Sequence, residues 1–134
     1  MRLQLTRRGD YAIRAMLLLA SRPGDVLSGT EIARHTGISE RFVPQVMREL
    51  VRAELARVRL GRHGGYQLGK AAESVPMLAI VEAVEGDSRR QRCVLSGIAC
   101  DPDQRCQVHE IFAAAQEALI SRLAESSLAS ASRQ

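Results

Sequence analysis

Every cysteine of the 134-residue chain falls between positions 93 and 106, and a histidine follows the last of them: Cys93, Cys100, Cys106 and His109. Thiolate and imidazole are soft or borderline donors that suit iron–sulfur clusters and zinc. The intervening stretch is polar and carries glycine and proline, the composition of a loop rather than of a core. A 2Fe–2S cluster takes four protein donors, so three thiols leave one position open. His109, three residues beyond Cys106, can fill it from the same chain; a carboxylate from elsewhere, notably Asp10, is the other candidate. A Cys3His zinc site, a metal-free thiol redox switch and buried inert cysteines are the remaining readings of the same residues. An odd number of thiols in a reducing compartment speaks for metal or redox chemistry over a disulfide framework.

The elements that must hold this loop are helical. Hydrophobic residues make up 46% of the chain but aromatic ones only 3%, so the core is aliphatic, and leucine and alanine favour helix packed on helix. No apolar run reaches the roughly 20 residues that cross a bilayer. Asp10, Tyr11 and Arg14 interrupt the N-terminal hydrophobic stretch, which has no cleavage pattern and is expected to be a folded helix of a cytoplasmic protein. The net charge is +4, and of 19 basic residues all but Lys70 are arginine, the side chain that forks onto phosphate and guanine.

Thr6 can cap a helix over about 7–21, ended by Arg22-Pro23-Gly24-Asp25, with Ile13, Met16, Leu17 and Ala20 along one side. Ser28 or Thr30 can open a short second helix, Gly37 supplies a turn, and Ser39 can cap a third helix over about 40–53 with Phe42, Val43, Val46, Met47 and Leu50 inward. Pro44 near its start calls for a 3₁₀-like first turn. Two short strands, 56–60 and 66–68, flank Gly61-Arg62-His63-Gly64-Gly65 as a hairpin. Helix, turn, helix, hairpin is the order of a winged helix-turn-helix, whose second helix reads the major groove. Ser39, Arg41, Gln45 and Arg48 on that helix, with Arg59, Arg62, His63 and Gly64 on the wing, are the candidate DNA-binding residues. An apolar helix follows Pro76 and ends near Gly86. A last helix over about 108–126 repeats Val108, Ile111, Phe112, Ala115, Leu119 and Leu123 at helical period, a stripe suited to a second subunit.

Together these residues resemble the IscR/NsrR/RirA family of bacterial iron–sulfur-regulated winged-helix repressors. The resemblance rests on Met1-Arg2-Leu3, Asp10-Tyr11-Ala12-Ile13-Arg14, Ile32-Ala33, Gly37-Ile38-Ser39, Gln45-Val46-Met47-Arg48-Glu49-Leu50, Gly64-Gly65-Tyr66-Gln67-Leu68-Gly69-Lys70 and Ile80-Val81-Glu82-Ala83-Val84-Glu85-Gly86, in that order. It implies a non-enzymatic repressor, a homodimer on palindromic operator DNA, with no membrane and no small-molecule substrate. Operator affinity would follow an iron–sulfur cluster (2Fe–2S ahead of 4Fe–4S, with zinc as the alternative) that senses iron–sulfur status, redox stress or nitric oxide. Cys93, Cys100 and Cys106 would be ligands. His109 matches the IscR-like fourth donor, and Asp10 matches the NsrR-like donor from the partner subunit. The Cys93–Cys100 interval is one residue longer than the family's common spacing, and Glu54 stands where a glycine usually follows the recognition helix. The expected fold is mostly α with a small β-hairpin: a winged helix-turn-helix over 1–86, a cluster loop over 87–108, a long C-terminal dimerisation helix over 109–128 and a flexible tail over 129–134.

Overall fold

In the computed structural model, which describes residues 4–88, 93 and 95–133, the Thr6 hydroxyl accepts from the Gly9 N–H (3.2 Å) and opens α1, Arg7–Ser21. The Met1-Arg2-Leu3 opening and positions 89–92 and 94 of the cysteine stretch lie outside the described residues. The buried face of α1 is Gly9, Ala12, Ala15, Met16 and Leu19, rather than the Ile13, Met16, Leu17 and Ala20 side expected from the sequence. Ile13, Leu17 and Ala20 flank the core half-buried. The physical reason is tertiary: α4, Met77–Glu85, packs extensively on α1 and other helices join it, and what they cover together decides which residues are inside.

Glu85, the last residue of α4, fastens this pair end to end. Its Oε1 accepts from both the N–H of Thr6 (2.7 Å) and the Thr6 hydroxyl (2.5 Å). Gly9 makes room for it, since a Cβ there would stand 2.4 Å from the same carboxylate oxygen.

Helix α2, Gly29–Thr36, opens with a full capping box: the Ser28 hydroxyl accepts from the Glu31 N–H, and the Glu31 carboxylate accepts from the Ser28 N–H (2.8 Å). The bond from the Ser28 backbone holds the Glu31 carboxyl below its ordinary value. Gly37, at φ 76°, ends the helix in the left-handed conformation. A 3₁₀ turn, Glu40–Phe42, then leads into α3, Val43–Arg52. Pro44 thus falls in the first turn of α3, where its missing N–H has no intrahelical partner to lose. Ser39, expected to cap, makes no capping bond; Thr30 instead donates its hydroxyl to the Glu40 carboxylate (2.6 Å) and joins α2 to the turn.

After α3 the chain turns at Glu54, whose φ of 60° is the left-handed region in a residue with a Cβ. Strands β1, Ala56–Arg59, and β2, Gly65–Leu68, pair antiparallel with Ala56 opposite Leu68 and Arg59 opposite Gly65. Leu27 adds a one-residue bridge to Tyr66, with backbone bonds in both directions (2.9 and 2.7 Å). The wing is thereby tied to the segment that precedes α2.

Helix α5, His109–Glu125, packs on α4 yet buries only Ile120 fully, leaving Ile111 and Leu119 exposed. Among the described residues no helix is long and apolar enough to cross a membrane. The flexible tail expected over 129–134 is corrected by the structure. Ser127 caps a short helix, α6, Leu128–Ser132, that packs on α1, with Leu128 and Ala129 buried. The cause is a long-range clasp: the Met77 N–H donates to the Ser126 carbonyl (2.8 Å) and the Leu128 N–H to the Val75 carbonyl (2.7 Å). Leu128 joins the main core cluster with Met16, Ile32, Met47, Leu50 and Ile80.

Leu128→Ala should therefore cost roughly 2–5 kcal/mol of stability in urea unfolding, as for a buried leucine. A loss under about 1 kcal/mol, the level of a surface change, would mean that the last helix contributes no core.

Candidate functional site

The exposed side of the second helix of the helix-turn-helix is polar because its other side is wholly committed to the core. Val43, Val46, Met47 and Leu50 are buried, and Ser39, Arg41, Gln45 and Arg48 face outward. The Arg41 guanidinium lies 4.7 Å from the centroid of the Phe42 ring, and that ring leans on Tyr11 of α1 at 6.1 Å. A cation–π contact of this kind restricts the arginine before any DNA arrives. Arg59, Arg62 and His63 are exposed on the wing. Gly64 has a different place: a Cβ there would meet the Arg59 carbonyl oxygen at 2.3 Å and that of Gly61 at 2.9 Å, so glycine is what lets the tip close. Sequence reasoning passed over Glu40. It is exposed at the leading turn of the reading helix and steadied by Thr30, and a carboxylate there can accept from cytosine N4. The available signal was its place beside Ser39 and Arg41 at the helix start, where side chains reach bases.

The cysteine loop leaves the end of α4 and enters α5. Its root is pinned by the Ser88 N–H, which donates to Glu82 Oε1 (3.1 Å). The Cys93 N–H donates to the Ile98 carbonyl (2.8 Å), and the Gly97 N–H returns to the Cys93 carbonyl (2.8 Å) with Gly97 left-handed at φ 73°. This turn brings the Ser96 hydroxyl and the backbone of Ser96 and Leu95 against the Cys93 sulfur. These bonds, the Ser96 side chain first, draw the Cys93 thiol down to about 7. Cys100 hydrogen-bonds to Cys93; that bond, its burial and the nearby charges of Cys93 and Cys106 push its thiol up.

The Cys106 carbonyl accepts from the N–H of His109, the first residue of α5 (3.0 Å), and Arg105 pairs with Glu110 across the same junction (3.0 Å). Asp10 sits apart on α1, ion-paired with Arg14 (2.9 Å). Among the described residues no three histidine, cysteine or acidic side chains stand together as a metal-holding group. The loop brings Cys93 and Cys100 together, keeps Cys106 and His109 on one short turn, and leaves Asp10 elsewhere. In donor chemistry the three thiols and the imidazole fit an iron–sulfur or zinc centre. A cleft of about 560 Å³ opens at the root of the loop, between Thr6 and Arg8, the chain from Glu85 to Ser88, and Gln116 of α5.

Comparison with known proteins bears on the family and the fold. The family model Rrf2, described as an iron-dependent transcriptional regulator, matches residues 5–134. Protein rrf2 of Nitratidesulfovibrio vulgaris is 30% identical over 122 residues, covering 90% of this chain and 81% of that protein. The HTH-type transcriptional regulator IscR of Erwinia tasmaniensis is 32% identical over 112 residues, 82% of this chain and 67% of that protein. The structure of CymR, the global cysteine regulator of B. subtilis, superposes with a TM-score of 0.83 over 98% of both chains at 23% identity, a shared fold.

The thiol environment is directly testable by alkylation. Thiolate forms as pH rises through the thiol's own value, so iodoacetamide labelling of Cys93 should reach its half-maximal rate near pH 7 and precede that of Cys100. Peptide mapping that found the two labelled in parallel would contradict the assigned hydrogen bonding.

Proposed function

This chain belongs to the Rrf2 family of transcriptional regulators, and from that premise we propose that it is a repressor whose grip on operator DNA is set by its cysteine loop. It is a regulator and not an enzyme. The reading helix would enter the major groove with Ser39, Arg41, Gln45 and Arg48, and Glu40 would add a contact selective for cytosine. Arg59, Arg62 and His63 of the wing would lie on the backbone and in the neighbouring minor groove. The exposed stripe of α5, with Ile111 and Leu119, would be covered by the same helix of a second copy, giving a two-fold dimer for a palindromic site.

Cys93, Cys100 and Cys106 would hold an iron–sulfur cluster, of 2Fe–2S type, with His109 as fourth donor. His109 is favoured over a partner's Asp10 because it adjoins Cys106 at the start of α5, whereas Asp10 is already engaged by Arg14. When bound, such a cluster supplies a centre sensitive to iron supply, redox stress and nitric oxide. The chain's own contribution is mechanical. The observation that carries the reading is the loop's attachment: one end at α4, which packs on α1 and α3, and the other at α5. Any state that draws the thiols together biases both attachments at once, and with them the spacing of two reading helices in a dimer. A second reading, a metal-free thiol switch, is favoured by the hydrogen-bonded Cys93 and Cys100 pair.

An anaerobic ultraviolet–visible spectrum with iron and sulfide counts separates these. A brown, sulfide-containing protein that bleaches with nitric oxide is expected. A colourless protein carrying zinc, or no metal at all, sinks the cluster reading and leaves the thiol switch or a structural zinc. Cys100→Ala should remove the colour while leaving a folded protein with a cooperative thermal transition, because no described residue of the loop belongs to the main core. Arg59→Ala should weaken DNA binding on every duplex and flatten the salt dependence by about 0.9, the loss of one phosphate contact. An altered sequence preference with an unaltered salt slope would instead assign Arg59 to the bases.

A further inference from the structure

We propose that Leu60, at the tip of the wing, is an apolar wedge that enters the minor groove and parts a flexible base step; the inference rests on the DNA-binding reading above. Leu60 is 91% exposed, well beyond Ile98 at 70% and Ile111 at 69% among the described residues. Those two lie on the cysteine loop and on α5, whereas Leu60 lies between Arg59 and Arg62 on the basic wing, which also exposes Val58 at 46%. It is the first residue after β1, and the turn behind it is shut: the Gly64 N–H donates to the Gly61 carbonyl (3.0 Å), and no Cβ fits at Gly64. At 91% exposure the side chain projects from this closed backbone into solvent.

An isolated leucine on a surface ordinarily needs no explanation. Here three independent circumstances converge on one. The tip is narrow because it is closed by glycine. Cationic side chains flank the leucine on both sides and would be held by the phosphates that edge a groove. The tip is also fixed to the domain by the Leu27 and Tyr66 bridge, so a force on it is transmitted to the domain rather than lost in a loose loop. Apolar side chains so placed unstack base pairs from the minor-groove side and bend the duplex. Pyrimidine–purine steps open most readily, so Leu60 would select for such a step at a position where no hydrogen bond reads the base.

The test uses the full-length wild-type protein to select from a pool of random-core duplexes, then compares variants on the enriched duplex. Affinity is measured across salt concentrations, and bending by energy transfer between end labels. Leu60→Ala should bind about tenfold more weakly, which is about 1.4 kcal/mol. Its salt slope should be that of the wild type, because no phosphate contact is removed, and the DNA in its complex should be straighter. Leu60→Met, still apolar and long, should keep both affinity and bend. A wild-type complex with straight DNA, a Leu60→Ala complex bent as before, or an affinity within twofold of wild type each overturns the wedge while leaving DNA binding intact. Failure of the wild type to enrich any sequence removes the DNA-binding reading, and the wedge with it.

Discussion

The contact between α1 and α4 is the constraint on which the rest of this fold depends. The two helices pack extensively, and Glu85 locks their ends by accepting twice from Thr6. Because α3 and α6 pack onto these helices in turn, a change in their separation would reach the reading helix, the last helix and the root of the cysteine loop together. The carboxylate lock spans most of the sequence, so it forms only once both helices are in place. Its partners are exposed, and its worth lies more in fixing register than in strength.

The polar surface of the helix-turn-helix and wing is arranged by backbone chemistry that costs the core nothing. Gly37 turns the chain between the two helices, Pro44 starts α3 without forfeiting a bond, and the wing is closed by glycines. Each device leaves the polar side chains on one outer surface. Arg41 is parked on Phe42 and Glu40 on Thr30, so part of the ordering entropy of the reading surface is already spent before binding. The exception to this economy is Glu54. With φ at 60° it holds a conformation that glycine adopts freely, and it carries about 1–2 kcal/mol of left-handed strain immediately before the wing.

Features governed by local chemistry were legible in the sequence: the Thr6 and Ser28 caps, the Gly37 turn, the 3₁₀ entry that Pro44 demands, and the buried stripe from Val43 to Leu50. Features governed by distant partners were not. The face of α1 was misjudged because apolar residues occur nearly all round that helix, and only the arrival of α4 decides which side is inside. The last helix was missed because Ala129-Ser130-Ala131-Ser132 has no hydrophobic period; its order comes from the backbone clasp at Val75 and Met77. At the candidate site, the exposure of Ser39, Arg41, Gln45 and Arg48 followed from helix period. Which donors approach one another in the cysteine loop did not, since spacing along a loop says little about distance across it. The exposure of Leu60 was not legible because a leucine beside a strand reads as strand, and only the fold shows that nothing covers it.

The clasp that joins residues 75–77 to residues 126–128 also alters the statistics of the chain between them. The cysteine loop and α5 form a single excursion that departs from one end of α4 and is tied back at the other. Closing that excursion costs entropy once, when the domain folds. Afterwards both ends of the excursion are held at α4. The cysteines thus lie within a closed insertion whose end-to-end span is set by the length of α4 rather than by the loop itself.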